Sequence, residues 1–163
     1  MKQILVMIAV VALVGGCGTT KLDPNAPANI TDPIVEKAIR SKYSLNKPTG
    51  ELTNADLANV TGLYLYGTKI TDAGLKEVAK LQKLTKLNLT FTRNITDVGL
   101  KEIAKLTQLT WLGLWSTKTT DAGLKEVAKL TQLTSLGLGG TKINDAGLKE
   151  LAKMQQLKSL ALN

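Results

Sequence analysis

The stretch Asp97-Val-Gly-Leu-Lys-Glu-Ile-Ala-Lys105, with Leu109-Thr-Trp-Leu-Gly-Leu114 after it, decides the fold of this 163-residue chain. The first phrase occurs three more times with small changes, beginning at Asp72, Asp121 and Asp145. Each copy is followed by Leu-x-x-Leu-x-Leu, and a degenerate form of that pattern precedes them over 60–65. A period of 24 or 25 residues is typical of a solenoid. No repeat of this length can bury its apolar side alone, so neighbouring repeats must stack.

Within each repeat the pattern predicts one strand and one helix. Leu-x-Leu has the alternation of a strand with one buried face, whereas Thr-Asp or Asn-Asp before Gly-Leu-Lys is an N-cap followed by an acid at the positive end of a helix. A threonine follows the last strand leucine by three residues in every repeat, at Thr68, Thr92, Thr117 and Thr141. We expect these hydroxyls to satisfy backbone groups of the adjacent turn.

The phrase Ile-Thr-Asp-x-Gly-Leu-Lys-x-x-Ala, carried by residues 60–163, strongly resembles the cysteine-containing class of leucine-rich repeats and its shorter bacterial relatives. Residues 34–65 resemble the N-terminal caps of internalin-like bacterial proteins. The resemblance implies a right-handed α/β leucine-rich repeat solenoid, with about five parallel strands on the concave side and about four helices on the convex side. A helical cap over 33–59 would cover the first end of the core. An extra residue at Arg93-Asn94 should bulge one loop between strand and helix.

The start of the chain has the features of an export signal. Residues 4–14 carry no charge and are too short for a confident membrane span, but they suit a signal peptide. Val14-Gly-Gly-Cys17 resembles the lipobox of bacterial lipoproteins, which implies removal of residues 1–16 and lipidation of Cys17. By the sorting rule of double-membraned bacteria, Gly18 implies an outer-membrane location. Simple secretion with a free thiol is the alternative, and a lone cysteine excludes an internal disulfide in either case.

The segment after Cys17 has the composition of a linker. Gly18 to Pro33 is rich in Thr, Pro, Asn, Asp and Ala and lacks an apolar period. We therefore predict a flexible tether over residues 17–32, which would hold the repeats clear of the membrane. An amphipathic helix should begin at Asp32-Pro33 and end near Lys42.

The composition argues against catalysis. The chain has no histidine and one cysteine, so a histidine-based triad and an imidazole metal site are excluded. The acids recur once per repeat at helix ends or helix surfaces, where repetition explains them better than a catalytic pair would. We expect no enzymatic activity, no cofactor and no metal. The formal charge is +8, but no nucleic-acid-binding motif accompanies it, and we expect no nucleic acid partner.

Aligning the predicted strands places most of the aromatic residues on the outward, concave side of the sheet. Six aromatic residues occur in the chain, and a core of leucine does not need them there. The candidate partner-binding residues are Tyr64, Tyr66, Lys86, Asn88, Thr90, Phe91, Trp111 and Trp115. Glycines in the later repeats predict a shallow open floor beside Trp115, on which a peptide strand or a sugar ring could lie. In the alternative interpretation, the aromatics only pack across neighbouring strands and stabilise the sheet.

The leading prediction is a non-catalytic envelope lipoprotein that binds a protein or peptide through the concave face. A structural role is the first alternative: stacked repeats form two lysine columns, at Lys76, Lys101, Lys125 and Lys149 and at Lys80, Lys105, Lys129 and Lys153. These columns could adhere to anionic glycan or lipid, or simply form a solvated face. The second alternative is a homodimer or a partner docked at the fifth strand, which the sequence leaves as an uncovered edge.

Overall fold

Strands and helices alternate along the chain from residue 62 onward in a computed structural model, which describes residues 22–42 and 44–162. The predicted signal peptide, Cys17 and Asn163 lie outside the described residues. The elements are α1 Pro33–Arg40, α2 Asn54–Leu57, β1 Gly62–Tyr64, α3 Asp72–Val78, β2 Lys86–Asn88, α4 Asp97–Ile103, β3 Trp111–Gly113, α5 Asp121–Val127, β4 Ser135–Gly137, α6 Asp145–Leu151 and β5 Ser159–Ala161. None of these helices has the length and apolar character needed to cross a membrane.

The five strands form one parallel sheet in the order β1-β2-β3-β4-β5. Their central leucines pair in register, from Leu63 through Leu87, Leu112 and Leu136 to Leu160. The first four of these are buried with the leucines two residues after them, and α3 to α6 pack side by side behind the sheet. The predicted α/β solenoid, with five parallel strands and four repeat helices, is confirmed.

An aspartate at the start of α3, α4 and α5 joins one repeat to the next. Asp72 accepts hydrogen bonds from the backbone N–H and the hydroxyl of Thr96, at 2.9 and 2.6 Å. Asp97 holds Thr120 in the same way, and Asp121 accepts from the N–H of Asn144. The carboxylates therefore do more than favour the helix end, because they also satisfy donors of the following repeat.

The threonines after the strands act as expected. The hydroxyls of Thr68, Thr92, Thr117 and Thr141 each donate to the carbonyl three residues earlier, at 2.5 to 2.8 Å. The predicted N-caps also form at Thr96, Thr120 and Asn144, whose side chains accept from the N–H two residues on. Thr71 is the exception, since its side chain makes no such bond.

The N-terminal cap consists of α1, α2 and the chain around them. Asp32 caps α1 by accepting from the N–H groups of Ile34 and Val35, at 2.8 and 3.1 Å. Val35 and Ile39 are fully buried in the same core as the strand leucines. The helix ends at Arg40, two residues before the predicted end at Lys42. The cap thus covers the first end of the core with apolar side chains.

The prediction of a flexible tether does not hold for residues 22–32. Pro27 forms an antiparallel bridge with Thr53, and the N–H of Ala28 donates to the carbonyl of Leu52 at 2.7 Å. Thr31 donates its N–H and its hydroxyl to Glu77 of α3, at 2.8 and 2.5 Å. This part of the segment is held by long-range hydrogen bonds, which its composition does not reveal.

The extra residue in the second repeat lies where the sequence places it. Arg93 and Asn94 are both exposed between β2 and α4, at the position that Lys69 alone occupies in the first repeat. The strands on either side stay in register, and Asn94 donates its side-chain amide to the carbonyl of Lys69 at 3.4 Å. The insertion therefore enlarges one loop without disturbing the stack.

Candidate functional site

The register of the sheet sets the candidate residues in rows across the strands. Lys86 pairs with Trp111 and then Ser135, while Tyr64 pairs with Asn88 and then Gly113. We call Tyr64, Tyr66, Phe91, Trp111 and Trp115 the aromatic face. Because a parallel sheet without slippage repeats every outward position, side chains distant in sequence become neighbours here.

Trp111 and Trp115 form one aromatic pair on this face. Their ring centroids are 6.3 Å apart, and their planes are inclined by 38°. Both side chains are half-buried, although they project from the sheet and not into the leucine core. The pair therefore offers partly exposed ring surface that is already held in place by its neighbours.

The tryptophan rings lie on the glycines of β3 and β4. A Cβ atom on Gly137 would stand 2.0 Å from Cη2 of Trp115, and one on Gly113 would stand 2.8 Å from Cη2 of Trp111. Gly137 and Gly113 are buried as a result. The prediction of an open floor beside Trp115 is wrong, because the indole ring itself covers the bare backbone.

Tyr66 and Phe91 form the second aromatic pair. Their ring centroids are 5.4 Å apart with an interplanar angle of 80°, an edge-to-face contact. Tyr64, Tyr66 and Phe91 keep 46%, 60% and 43% of their surface exposed. This end of the aromatic face is thus more open to solvent than the tryptophan end.

Phe91 holds an unusual backbone conformation. Its φ is 61°, in the left-handed region, and the equivalent positions of the other repeats are Gly67, Ser116 and Gly140 with φ of 66°, 55° and 66°. Its N–H donates to the carbonyl of Trp115 at 2.8 Å, which fixes the turn. A left-handed conformation costs a residue with a Cβ about 1–2 kcal/mol, whereas glycine adopts it freely. Phe91 therefore carries a backbone strain that glycine avoids at the equivalent positions Gly67 and Gly140.

The polar candidates differ in how accessible they are. Lys86 is exposed, and Asn88 is half-buried and accepts from the N–H of Thr90 at 3.0 Å. Thr90 is only 8% exposed, because its hydroxyl lies under the tryptophan end near Gly113. Thr90 was expected to be a polar contact, but it offers little surface to a partner. Lys86 and Asn88 remain available.

Two basic residues beside the aromatic face were missed by the sequence reasoning. Lys69 and Arg93 line a shallow depression together with Phe91. Both follow the threonine of their repeat, so the recurring Thr-Lys or Thr-Arg pair could have identified them. The strand alignment excluded them because they lie in the loops after the strands.

The two lysine columns of the convex side differ in charge compensation. Lys105, Lys129 and Lys153 each contact the glutamate three residues earlier, at 2.5, 2.6 and 2.7 Å. The hydrogen bond from Lys105 lowers the pKa of Glu102, and that from Lys153 lowers the pKa of Glu150. Lys80 instead donates to the carbonyl of Asn29. Within the described residues, the side chains of Lys76, Lys101, Lys125 and Lys149 form no hydrogen bond or ion pair.

The far edge of the sheet is apolar. Leu160 and Leu162 are 40% and 49% exposed, and they border a cleft of about 440 Å³ with Leu151 and Met154. Among residues 22–42 and 44–162, no group of three or more Cys, Asp or Glu side chains could hold a metal ion. The surfaces described above are thus aromatic, apolar or basic.

Residues 80–104 and 129–152 match a family model described as Leucine Rich repeat. With five parallel strands alternating with helices, the chain contains an α/β leucine-rich repeat solenoid.

The solved structures that are similar to the chain include two internalins. Internalin C2 from Listeria monocytogenes is 24% identical, with a TM-score of 0.48 over 88% of this chain and 80% of that one. An internalin (inlF) from the same organism is 20% identical, with a TM-score of 0.39 over 83% of this chain and 58% of that one. A comparison with curated proteins finds no match.

Proposed function

We propose that this protein is a non-catalytic repeat protein that binds another protein or a peptide through the aromatic face. The observation that carries the proposal is the exposure of Tyr64, Tyr66 and Phe91 beside the tryptophan pair, on the side of the sheet away from the leucine core. Preordered aromatic side chains supply contact area at low entropic cost and dominate many protein interfaces. Lys86 and Asn88 would add polar contacts at the edge of the same surface.

The test is capture of partners from a detergent extract of the native envelope. The full chain is compared with Tyr64→Ala/Tyr66→Ala, which removes the two most exposed rings. Val98→Ala is the matched control, because Val98 is 63% exposed on α4, outside the sheet. We expect a partner to be retained by the parent chain and by the control and lost by the double variant, with circular dichroism unchanged. Retention by all three proteins contradicts the proposal.

We further propose export and lipid anchoring at Cys17, with an outer-membrane location. Support comes from the sequence around Cys17: the apolar run and Val14-Gly-Gly before it favour the anchor, and Gly18 after it favours the outer membrane. Expression in a double-membraned bacterium fed with labelled palmitate tests it: the parent chain should be labelled, while Cys17→Ser should be unlabelled and remain a precursor. A labelled Cys17→Ser variant, or an unlabelled parent, excludes the anchor.

Two other functions have observations in their favour. The exposed column Lys76, Lys101, Lys125 and Lys149, which forms no direct ion pair among the described residues, favours adhesion to anionic glycan or lipid, which salt should weaken steeply. The exposed Leu160 and Leu162 favour self-association through β5, which light scattering would detect as a size that rises with concentration. Binding through the aromatic face should change little under either condition.

A further inference from the structure

Beside the aromatic face lies a depression of about 410 Å³, bordered by the loops that follow β1 and β2. We call it the loop site, and its lining is Gly67, Thr68, Lys69, Phe91, Arg93 and Asn94. We propose that the loop site binds an acidic side chain of an extended peptide segment in the partner. This inference rests on the proposed function, since the same partner would continue onto the aromatic face.

No described residue pairs with the charged side chains of the loop site. Lys69 and Arg93 are exposed, and their side chains make no hydrogen bond or ion pair within the described residues. The two loops, 66–71 and 90–96, contain no acidic residue. The aspartates that follow them instead accept hydrogen bonds from the next repeats. A carboxylate entering the depression would meet two free cations, one of them a guanidinium that can donate two parallel hydrogen bonds.

The loop site occurs once in the stack. Lys118 and Lys142 occupy the position of Lys69 in later repeats, but Ser116 and Gly140 stand where the second repeat has Phe91, and no inserted residue accompanies them. Only the second repeat combines the insertion at Arg93-Asn94 with the strained Phe91. A cation recurs at this position in every repeat, as a polymer of repeating anions would need, but the aromatic and inserted residues that complete the loop site do not recur. A single, distinct depression favours one anchoring residue of a peptide over a polyanion.

Phe91 indicates which type of residue should adjoin the acidic residue in the partner's peptide segment. Its ring lines the depression and also contacts the edge of Tyr66, so it borders both surfaces. A peptide that places a carboxylate between Lys69 and Arg93 would lay its neighbouring side chain on these two rings. We therefore expect the recognised segment to carry an aspartate or glutamate next to an apolar residue.

The experiment selects short random peptides displayed on phage against the immobilised full chain. The affinities of the selected peptides are then measured for Lys69→Gln/Arg93→Gln. The matched control is Lys118→Gln/Lys142→Gln, which removes the same charge from equivalent loops. We expect the selected peptides to be enriched in acids, and we expect affinity to fall about tenfold in the first variant only, as loss of a charge-assisted contact predicts. Replacing the peptide's acid by its amide should give the same loss and add nothing further in that variant.

Several outcomes would overturn the inference. Peptides without acidic enrichment, or equal weakening by both double variants, would show that no specific carboxylate site exists. Binding of a sulfated polysaccharide in place of any peptide would assign the cations to a polyanion. If peptides without acids bind the parent chain and are lost by Tyr64→Ala/Tyr66→Ala, the aromatic face functions and only the loop site fails. If no peptide binds the parent chain at all, the loop site fails, while the proposed function is decided by the capture experiment.

Discussion

Asp97 accepts two hydrogen bonds from Thr120 of the following repeat, at 2.9 Å from the backbone N–H and at 2.6 Å from the hydroxyl. The same carboxylate fills the space above Gly123, where a Cβ atom would stand 2.3 Å from its Oδ1. The motif Asp-x-Gly therefore has two functions in α4 and in α5. The aspartate holds the next repeat, and the glycine makes room for the aspartate of the previous one.

Removing this joint should destabilise the stack. Asp97→Ala loses both hydrogen bonds and leaves the N–H of Thr120 without its partner, which should cost about 2–3 kcal/mol of unfolding free energy. Asp145 occupies the same helix position, is exposed and accepts no bond from a following repeat within the described residues. Asp145→Ala should therefore cost about 0.5 kcal/mol, from the helix end alone. Urea denaturation measures the unfolding free energies of both variants. Equal losses of stability would contradict the role of Asp97 in holding the following repeat.

Adding a methyl group at Gly137 should displace Trp115. The new Cβ would overlap the indole ring, so in Gly137→Ala the ring must swing into solvent and its fluorescence should shift to the red. The next residue in the same row, Ala161, already carries a Cβ and provides the control through Ala161→Gly. An unshifted spectrum in Gly137→Ala would mean that the ring does not lie on the glycine.

The left-handed backbone of Phe91 predicts that glycine is more stable than alanine at this position, the reverse of the usual order. Phe91→Ala and Phe91→Gly both lose the contact with Tyr66, but only glycine adopts a φ of 61° without strain. Phe91→Gly should therefore be more stable than Phe91→Ala by about 1 kcal/mol. At Tyr66, which is not among the left-handed residues, glycine should be the less stable choice by about 0.5–1 kcal/mol. Thermal unfolding of the alanine and glycine variants at both positions measures these differences in stability. If alanine is the more stable residue at both positions, the backbone of Phe91 is not strained.

The attachment of residues 22–32 should depend on pH. Partial burial raises the pKa of Glu77, but hydrogen bonds from Thr31 and Asp32 outweigh it, and the pKa lies below its ordinary 4.5. A depressed folded pKa contributes stability above the unfolded value, and that contribution is lost as pH falls through the folded pKa. Glu77→Gln should therefore destabilise the protein at pH 7 and approach the parent chain as the pH falls below 4.5 and through the depressed folded pKa.

The control for this pH dependence is Glu51→Gln. Glu51 is exposed, and its side chain makes no hydrogen bond or ion pair in the described chain. Its effect on the unfolding free energy should stay small across the same range. Urea denaturation at several pH values measures both variants, and a Glu77→Gln effect that does not change with pH would contradict the prediction.

The sequence predicts the solenoid well because every repeat contains the same local signals for its strand, its turn and its helix. The Leu-x-Leu alternation, the N-cap before each helix and the threonine after each strand act within a few residues of one another. Stacking then follows from the need to bury leucines that no single repeat can cover. Even the inserted residue at Arg93-Asn94 is located by counting, since the period changes there alone.

The candidate site is less predictable, because it depends on side-chain direction and long-range contact. The strand alignment identifies the aromatic column, but it cannot show that the ring of Trp115 lies on Gly137 or that Thr90 is buried. The composition of residues 22–32 resembles a linker, yet Glu77, far along the chain, holds it. Phenylalanine alone does not predict a left-handed backbone conformation. The alignment of the repeats suggests it, because Gly67 and Gly140 occupy the position of Phe91 in other repeats.

The loop that carries the extra residue shows that a repeat protein of this kind can vary its loops without changing its scaffold. Since β2 and β3 keep their pairing and α4 still begins at its aspartate, a change of length between them leaves the scaffold intact. The same position in the other three repeats is a ready acceptor for engineered segments. Grafting Phe-Thr-Arg-Asn in place of Ser116-Thr-Lys118 would duplicate the second repeat's loop, and the hybrid would report whether recognition can be copied independently of its framework.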